Sequence, residues 1–178
     1  SMFRVAVIIF PGTNCEGETR RSLVNAGLAA DYIRWNEGDK LAEGNYDAYV
    51  LPGGFAYEDR SRAGIIAALD PVMEQIKQAA TAGKPVIGIC NGCQVLVETG
   101  LIPGLDGNIL AGAVAVNTRL NGGKIIGTGF YHDTVYIQNT APAGRSCVTM
   151  NLEPGTVIPA TVANGEGRFI FPTDLLVE

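Results

Sequence analysis

Strand and helix patterns alternate along the first hundred residues, and this alternation restricts the fold more than any other feature of the sequence. The run Val5–Phe10 is continuously apolar, which is typical of a strand buried on both faces. Further strand patterns cover residues 31–35, 46–51 and 85–89, and helix patterns cover 19–26, 63–82 and 91–99, with a new helix start at Asp70-Pro71. Short strand–helix–strand connections are right-handed crossovers, so the sequence predicts a parallel sheet flanked by helices.

The pattern changes after Pro103, where short β-branched runs are separated by turn residues. These runs predict antiparallel strands at residues 113–116, 124–126, 135–138, 147–150, 157–162 and 168–171. The predicted fold class is therefore α/β, with a mostly parallel central sheet flanked by helices and a β-rich antiparallel C-terminal extension. We find no linker, and 178 residues suit one domain, so we expect a single domain over residues 1–178.

Charge and composition restrict the partners that we expect. The chain has 13 Lys and Arg residues against 18 Asp and Glu residues, a net charge of −5, with no basic patch. Nucleic acid and anionic membrane are therefore not expected partners. No apolar run approaches the ~20 residues of a membrane span, and the first residues lack the pattern of a signal peptide. We expect a cytoplasmic protein with reduced cysteines.

Three polar or glycine-rich loops follow the predicted parallel strands, at residues 11–16, 52–62 and 90–94. Ligands of open parallel sheets bind outside the carboxyl ends of the strands. The three loops are therefore predicted to meet at one edge of the sheet and to form the functional site.

Cys90 lies in the third loop, within Gly88-Ile89-Cys90-Asn91-Gly92. This G-x-C-x-G spacing is the cysteine counterpart of the G-x-S-x-G turn that presents a nucleophile between a strand and a helix. Small residues two before and two after the nucleophile allow the sharp turn, and the helix N-terminus favours a thiolate. The backbone N–H of Asn91 would then face an oxyanion formed by attack on a carbonyl. We predict that Cys90 is a nucleophile.

The same residues allow a second interpretation, because Cys90-Asn91-Gly92-Cys93 is a C-x-x-C motif. Such a motif in a strand–helix context is typical of thiol–disulfide exchange. The chain has no tryptophan just before the first cysteine, which the thioredoxin-like motif carries. We therefore favour the nucleophile and interpret Cys93 as a small core residue, with a buried inert Cys90 as the remaining alternative.

Pro52-Gly53-Gly54 follows the third strand and is predicted to lie beside Cys90. Two glycines there offer unhindered backbone N–H groups, which could supply a second oxyanion donor, although an ordinary turn has the same residues. The loop continues with the aromatic Phe55 and with mixed charges up to Arg62. It is longer than a connection needs, so we expect it to bind or dock a ligand.

Other candidate residues carry weaker signals. His132 is the only histidine, and a lone histidine near a turn is more often a surface residue than a catalytic base. The stretch from Asn164 through Glu166 to Arg168 is either a hairpin turn or a loop that enters the site. One histidine and no second C-x-x-C leave too few ligands for a metal site, so none is expected.

Four segments of the sequence show a family resemblance, and they span nearly the whole chain. They are residues 7–15 (VIIFPGTNC), 51–64 (from LPGGFAYED to RAG), 88–96 (GICNGCQVL) and 163–169 (ANGEGRF). The chain resembles class I, triad-type glutamine amidotransferases, which have a flavodoxin-like fold. Within them it is similar to the glutaminase subunits and domains of phosphoribosylformylglycinamidine synthase, of purine biosynthesis.

The resemblance implies a role for each matched residue. Cys90 would attack the side-chain amide of L-glutamine and form a thioester. The N–H groups of Asn91 and Gly54 would stabilise the oxyanion, beside Gly53, and Gln94 would position the substrate. Phe55, Asn164 and Glu166 would line the site.

The resemblance also implies the partners. Ammonia would pass to a synthetase subunit or domain, with a small bridging subunit as a further partner. ATP and magnesium would be used by that synthetase, so no cofactor is expected in this chain.

Two departures from the family affect the expected activity. The family's catalytic His and Glu lie in a Pro-His-Pro-Glu segment beyond the position of Glu166, and residues 1–178 contain no such segment. Asn164 stands where the family usually has His. A shortened form of a longer protein, a degenerate gene, or a base supplied from elsewhere would each explain this, and we expect the first. Weak or absent activity, and an alternative role as a catalytically incompetent interaction domain, follow from the same departures.

Overall fold

The computed structural model describes residues 2–176, in which strands and helices alternate first and strands predominate later. The parallel part comprises β1 (Arg4–Ile9), α1 (Glu16–Asn25), β2 (Ala29–Arg34), α2 (Gly38–Glu43), β3 (Ala48–Leu51), α3 (Ile65–Ala68), α4 (Pro71–Thr81), β4 (Val86–Gly88) and α5 (Asn91–Glu98). The later strands are β5 (Ala113–Val116), β6 (Thr118–Asn121), β7 (Lys124–Thr128), β8 (Tyr131–Gln138), β9 (Val157–Asn164) and β10 (Glu166–Ile170). Short 3-10 turns cover Ala56–Asp59, Asp106–Asn108 and Thr173–Leu176.

The first four strands form one parallel sheet in the order β2-β1-β3-β4. β2, which includes most of the strand predicted from residues 31–35, is an edge strand and is only partly buried. β1 and β3, in the middle of the sheet, are almost completely buried. The predicted parallel sheet is confirmed.

Alternate residues of the central strands pack on opposite faces of the sheet. Val5 and Val50 belong to one small cluster, with Leu23 of α1 packed against it. Ile8 and Leu51 point to the other face and join the main core, which includes Met73 and Ile76 of α4, Val95 of α5 and Leu41 of α2. Helices therefore cover both faces, which explains the continuous apolar runs of the central strands.

Contacts divide the chain into two compact units, residues 1–114 with 169–178, and residues 115–168. Within the second unit, β6 and β7 form an antiparallel hairpin whose turn contains Gly122 and Gly123, both at positive φ. β8 and β9 pair antiparallel from Tyr131 opposite Asn164 to Gln138 opposite Val157. The antiparallel extension is confirmed, and β5 pairs with β10. One domain over residues 1–178 stays a prediction.

Several predicted boundaries were wrong. The segment 147–150 forms turns and not a strand, although Val148 and Thr149 in it are β-branched. The structure also contains α2 and β6, which we did not predict. The new helix start predicted at Asp70-Pro71, within the pattern over 63–82, is confirmed, since α4 begins there after α3 has ended. α1 begins at Glu16, three residues before the predicted Thr19.

Candidate active site

Cys90 occupies a two-residue turn between β4, which ends at Gly88, and α5, which begins at Asn91. Its backbone has φ 52° and ψ −109°, a conformation that non-glycine residues rarely adopt. Such strain costs of order 1–3 kcal/mol and is found mainly at functional positions. The Cys90 side chain is exposed. The predicted sharp turn with an exposed thiol is therefore present.

The two flanking glycines are required by the backbone around them. A side chain at Gly92 would lie 2.0 Å from the carbonyl oxygen of Leu51, at the end of β3. A side chain at Gly88 would lie 2.7 Å from backbone atoms of Gly92 and Cys93. Helix α5 therefore begins in direct contact with the strands, and only glycine fits at both positions.

Asn91 joins this turn to the preceding loop through its buried side chain, which is 2% exposed. Its Oδ1 accepts a hydrogen bond from the Ala56 N–H at 3.0 Å. Its Nδ2 donates to Oδ1 of Asp59 at 3.3 Å and to Oε1 of Gln94 at 3.0 Å. The side chain of Asn91 therefore holds two loops of the site together, a role that we did not predict. Its only signal in the sequence is an amide at the first position of a helix.

The loops after β1 and β3 are also bound to each other. The N–H groups of Asn14 and Cys15 donate to the Gly53 oxygen, at 3.3 and 3.2 Å, and the Phe55 N–H donates to the Gly12 oxygen at 2.9 Å. These bonds flank the antiparallel bridge between Thr13 and Gly54, so the N–H of Gly54 points away from Thr13.

Close approach explains why a glycine occupies position 54. A side chain there would lie 2.7 Å from the Asn14 nitrogen, and its φ is 147°. A side chain at Gly53 would lie 3.5 Å from Cβ of Cys90 and 3.6 Å from Sγ of Cys15. Residues of the three predicted loops therefore meet around Gly53.

Burial affects the two cysteines nearest to Cys90. It is the main cause that raises the pKa of the Cys15 thiol, and the carboxylates of Glu18 and Glu16 act in the same direction. Burial also raises the pKa of Cys93, in the first turn of α5. Cys93 is half-buried, whereas Cys15 is exposed and donates through Sγ to Oδ1 of Asn14 at 3.2 Å.

The loop after Gly54 contains three consecutive non-glycine residues in the left-handed conformation. Tyr57, Glu58 and Asp59 have φ values of 54°, 56° and 53°. Each such residue costs roughly 1–2 kcal/mol, so other contacts must hold the turn. The Tyr57 N–H donates to the Pro11 oxygen at 2.6 Å, and the Tyr57 hydroxyl donates to Oδ2 of Asp70 at 2.6 Å.

Burial strongly affects this hydroxyl–carboxylate contact. It is the main cause that raises the pKa of the Tyr57 hydroxyl, and the bond to Asp70 adds to it. Burial also raises the pKa of Asp70, while the bond from Tyr57 opposes the increase. Asp70 was predicted as the N-cap of α4 and has that position, but its side chain makes no capping bond. Its carboxylate binds the strained loop instead.

An ion pair connects the end of this loop with α5. Nη2 of Arg62 donates to Oε2 of Glu98 at 2.8 Å, and Nε of Arg62 donates to Oε1 of the same carboxylate. The Glu98 side chain is 2% exposed and that of Arg62 is 47% exposed. The loop 55–62 is therefore bound at Asn91, at Asp70 and at Glu98.

Six of the eight predicted site residues belong to the first unit: Gly53, Gly54, Phe55, Cys90, Asn91 and Gln94. Phe55 is 61% exposed. The interactions among the described residues place Gly53 beside Cys90 and Gln94 beside Asn91. The catalytic and binding roles of these residues stay predictions.

Asn164 and Glu166 belong to the second unit. There the Asn117 side chain donates to both oxygens of Asn164 at 2.8 Å and accepts from the Gly167 N–H at 2.9 Å. We did not predict Asn117, which joins the ends of β9 and β10. His132 is exposed on β8, paired with Ala163. The site-lining role of Asn164 and Glu166 stays a prediction.

Residues 2–176 contain neither a candidate metal site nor a candidate membrane-spanning helix. Within that range, no three His, Cys, Asp or Glu side chains are grouped as a metal site requires. No helix of the same described residues has the length and hydropathy needed to cross a bilayer.

Comparison with known proteins identifies the family. The model of the CobB/CobQ-like glutamine amidotransferase domain matches residues 2–178. The chain belongs to this family. The amidotransferase resemblance of the sequence is thereby confirmed.

Individual relatives agree with this assignment. The chain is 41% identical over 176 residues to phosphoribosylformylglycinamidine synthase subunit PurQ of Methanothrix thermoacetophila, covering 98% of this chain and 66% of that protein. Against the PurQ subunit of Methanopyrus kandleri it is 38% identical over 170 residues, covering 96% and 66%. The chain thus spans just under two thirds of the length of these relatives.

Solved structures show the same fold. The structure described as PurLQS from Thermotoga maritima has a TM-score of 0.75 at 31% identity, covering 98% of this chain and 72% of that one. A glutamine amidotransferase from Thermotoga maritima has a TM-score of 0.54 at 17% identity, covering 97% and 64%, which supports the amidotransferase fold alone.

Proposed function

We propose that this chain is the nucleophile-bearing part of a glutaminase subunit of phosphoribosylformylglycinamidine synthase. The observation that carries the proposal is the exposed Cys90 in its strained turn at the start of α5, with glycine required on both sides. The PurQ relatives support the substrate class, because they are named as a subunit of that synthase.

The proposed chemistry begins with L-glutamine. Sγ of Cys90 forms a bond to the side-chain amide carbon, and the carbon–nitrogen bond then breaks to leave a thioester and ammonia, with a proton going to the leaving nitrogen. The N–H groups of Asn91 and Gly54 would donate to the oxyanion. The orientation of the Gly54 N–H, away from Thr13, supports this role. Water then releases glutamate and frees Cys90.

We propose that ammonia passes to a synthetase subunit that binds ATP and magnesium, and that this chain itself holds no cofactor. The similarity to the PurLQS structure of Thermotoga maritima supports a partnership of this kind. Co-elution of the chain with the purified synthetase subunit and small subunit of the same organism, in size-exclusion chromatography, is the expected result. Separate elution at micromolar concentrations would contradict the partnership.

A diazo-ketone analogue of glutamine tests the nucleophile. This reagent should label Cys90 in the tryptic peptide 78–119, and L-glutamine should slow the labelling. The D-enantiomer of the reagent and the variant Cys90→Ser are the controls, and neither should give the label. Labelling of Cys15 or Cys147 with Cys90 unmodified would contradict the proposal.

Turnover separates this proposal from a catalytically incompetent interaction domain. The family's Pro-His-Pro-Glu segment is not among residues 1–178, so we expect turnover to be weak at most, and labelling is the primary measurement. Detectable glutamine hydrolysis that Cys90→Ala abolishes would contradict the interaction-domain alternative.

A further inference from the structure

Gly53 separates two exposed cysteines that come from different loops. A side chain at position 53 would touch Cβ of Cys90 at 3.5 Å and Sγ of Cys15 at 3.6 Å. The two cysteine atoms are therefore within about 7 Å of each other, the sum of those distances. Cys15 precedes α1 and Cys90 precedes α5, and both side chains are exposed.

The geometry allows the two sulfur atoms to meet. A disulfide needs Cβ atoms about 3.5–4.5 Å apart and a sulfur–sulfur bond of about 2.0 Å. Because residue 53 is glycine, its side chain does not occupy the space between the two cysteines. Rotation of both exposed side chains, together with an approach of the loops that carry them, would bring the sulfur atoms together. The Cys15 thiol donates a hydrogen bond to Oδ1 of Asn14 at 3.2 Å. A thiol is a weak donor, so this bond holds the Cys15 side chain only weakly.

The surroundings assign different parts to the two cysteines. Cys90 lies in the strained turn before α5, whose first turn has no acidic residue, whereas α1, which follows Cys15, has Glu16 and Glu18 in its first turn. The Cys15 side chain is exposed, but partial burial of its thiol and the carboxylates of Glu18 and Glu16 raise the pKa of that thiol. Cys90 is therefore the sulfur that an oxidant attacks first, and Cys15 is the thiol available to react with the product.

We propose that Cys15 and Cys90 form a reversible disulfide when the protein meets a peroxide, and that this bond blocks the exposed nucleophile. In the first step the Cys90 sulfur forms a bond to one peroxide oxygen, the oxygen–oxygen bond breaks and hydroxide leaves. The sulfur is oxidised to a sulfenic acid and the peroxide is reduced. In the second step the Cys15 sulfur attacks the Cys90 sulfur, the sulfur–oxygen bond breaks and water leaves with the Cys15 proton.

Cys93 is the competing partner, since it forms the C-x-x-C motif with Cys90. It is half-buried, and burial raises its pKa. It also lies in the first turn of α5, directly after Cys90. A Cys90–Cys93 disulfide would therefore join two positions at the start of the same helix and would not involve a second loop. Cys15 is exposed and reaches Cys90 from another loop, which is why we assign the bond to Cys15.

Peptide mapping after hydrogen peroxide treatment tests the assignment. Trypsin places Cys15 in peptide 5–20, Cys90 and Cys93 together in peptide 78–119, and Cys147 in peptide 146–168. We expect a cross-link between peptides 5–20 and 78–119 that persists in Cys93→Ser and Cys147→Ser and is lost in Cys15→Ser. The oxidised protein should lose iodoacetamide labelling of Cys90, and a dithiol should restore it. A bridge inside peptide 78–119, or no bridge with Cys90 oxidised to sulfinic acid, would overturn the proposal.

Gly53→Ala provides a variant that keeps the cysteines. Its new methyl group makes contacts of 3.5 Å or more, which are ordinary van der Waals distances, so the variant should fold. The methyl group would touch both Cβ of Cys90 and Sγ of Cys15 and should therefore slow cross-linking strongly. Gly17→Ala, with open space around the new methyl group, is the control and should cross-link like the parent. Equal cross-linking rates in Gly53→Ala and Gly17→Ala would contradict the proposed path between the sulfurs. The result does not depend on whether Cys90 acts on glutamine.

Discussion

At the scale of single residues, the site depends on places where a side chain would meet backbone. Gly92 is one of these, because a methyl group there would overlap the Leu51 carbonyl oxygen at 2.0 Å. Neither strand β3 nor helix α5 can move away without breaking the core around Leu51, which is 1% exposed. Gly92, two positions after Cys90, is therefore needed for the fold as well as for the turn.

Gly92→Ala should lower the free energy of unfolding by several kcal/mol or prevent folding, since overpacking of a well-packed core costs about 1–3 kcal/mol and backbone overlap costs more. Urea unfolding followed by circular dichroism measures it. The control is Gly17→Ala, in α1 with nothing near the new methyl group. It should be stabilising by up to about 1 kcal/mol, because alanine replaces glycine in a helix. A Gly92→Ala protein as stable as the parent would contradict this packing.

Asn91→Ala tests the buried amide. It leaves the Ala56 N–H without its acceptor, at a cost of about 1–3 kcal/mol. We expect the diazo-ketone analogue to label Cys90 more slowly while iodoacetamide labels it at the parental rate, because the loop is displaced and the thiol is not. Asn91→Asp should slow labelling by the diazo-ketone analogue more than Asn91→Ala does, since it puts a carboxylate oxygen opposite Asp59 and the Gln94 oxygen. Equal slowing with both reagents would show that the turn itself has changed.

At the scale of elements, the left-handed turn of residues 57–59 is the most strained segment of the site. Glu58 is its exposed middle residue, and its ion pair with Arg60 lies on the surface. Surface pairs contribute about 0–1 kcal/mol, so the backbone strain decides the effect of a substitution.

Glu58→Gly should leave stability unchanged or raise it by about 0.5–1 kcal/mol, because glycine adopts positive φ without strain. Glu74→Gly is the matched control, at an exposed glutamate in the first turn of helix α4. That change should be destabilising by about 1 kcal/mol. Thermal unfolding of the two variants side by side measures the difference. If Glu58→Gly lowered the stability as Glu74→Gly does, position 58 would have ordinary helical geometry.

Asp70 gives this loop a dependence on pH. Burial raises the pKa of its carboxyl above the unfolded value, so its contribution to stability is fully present below the unfolded pKa and is lost as pH rises through the folded pKa. Asp70→Asn keeps an acceptor for the Tyr57 hydroxyl and a good N-cap residue but cannot ionise.

The stability of Asp70→Asn relative to the parent should therefore increase as pH rises from about 3 to 7. Urea titrations at intervals across that range measure it, with Asp106→Asn, an exposed aspartate, as the control. A constant difference between Asp70→Asn and the parent would contradict the raised pKa.

The sequence predicted the elements where pattern and burial agree. The continuous apolar runs indicated β1, β3 and β4 because these strands are covered on both faces, and Gly88 and Gly92 indicated the turn because their spacing follows from its geometry. It did not predict α2, whose six residues from Gly38 include only one buried side chain, Leu41. It also did not predict that residues 147–150 form turns, because β-branched residues favour strands only when a neighbouring strand pairs with them.

The site was predicted less completely than the fold, for a physical reason. Backbone contacts of Gly53 and Gly54 follow from local sequence, since small residues permit close approach. The bonds of Asn91 to Ala56, of Tyr57 to Asp70 and of Arg62 to Glu98 join residues 13–36 positions apart. Such pairs depend on how the loops fold together, and composition or spacing does not indicate them.

At the scale of the whole molecule, charge and exposed apolar side chains act in opposite directions. The net charge is −5 at pH 7 and the sequence pI is about 4.9. The second unit exposes large apolar side chains, among them Leu120, Ile125, Ile126, Phe130, Tyr136 and Ile137. Repulsion between like-charged molecules opposes association through such surfaces, and it vanishes near the pI.

Self-association should therefore increase as pH falls from 8 towards 5, and sedimentation velocity at the two pH values measures it. Adding salt at pH 8 should act in the same direction, because screening weakens the repulsion. The variant Ile125→Lys, on β7, should reduce association at pH 5. Identical sedimentation of the parent protein at both pH values would show that charge does not control its association.

The buried amide of Asn91 has one last consequence, for motion. Its three hydrogen bonds reach Ala56, Asp59 and Gln94, and one planar group makes all of them. If residues 56–59 move outward, the bonds to Ala56 and Asp59 break together. The Asn91 amide is then no longer held in the orientation of its bond to Gln94. We therefore expect this segment to open in one cooperative step between two states. Relaxation-dispersion NMR would detect that step as a single exchange process shared by Ala56, Asp59 and Gln94.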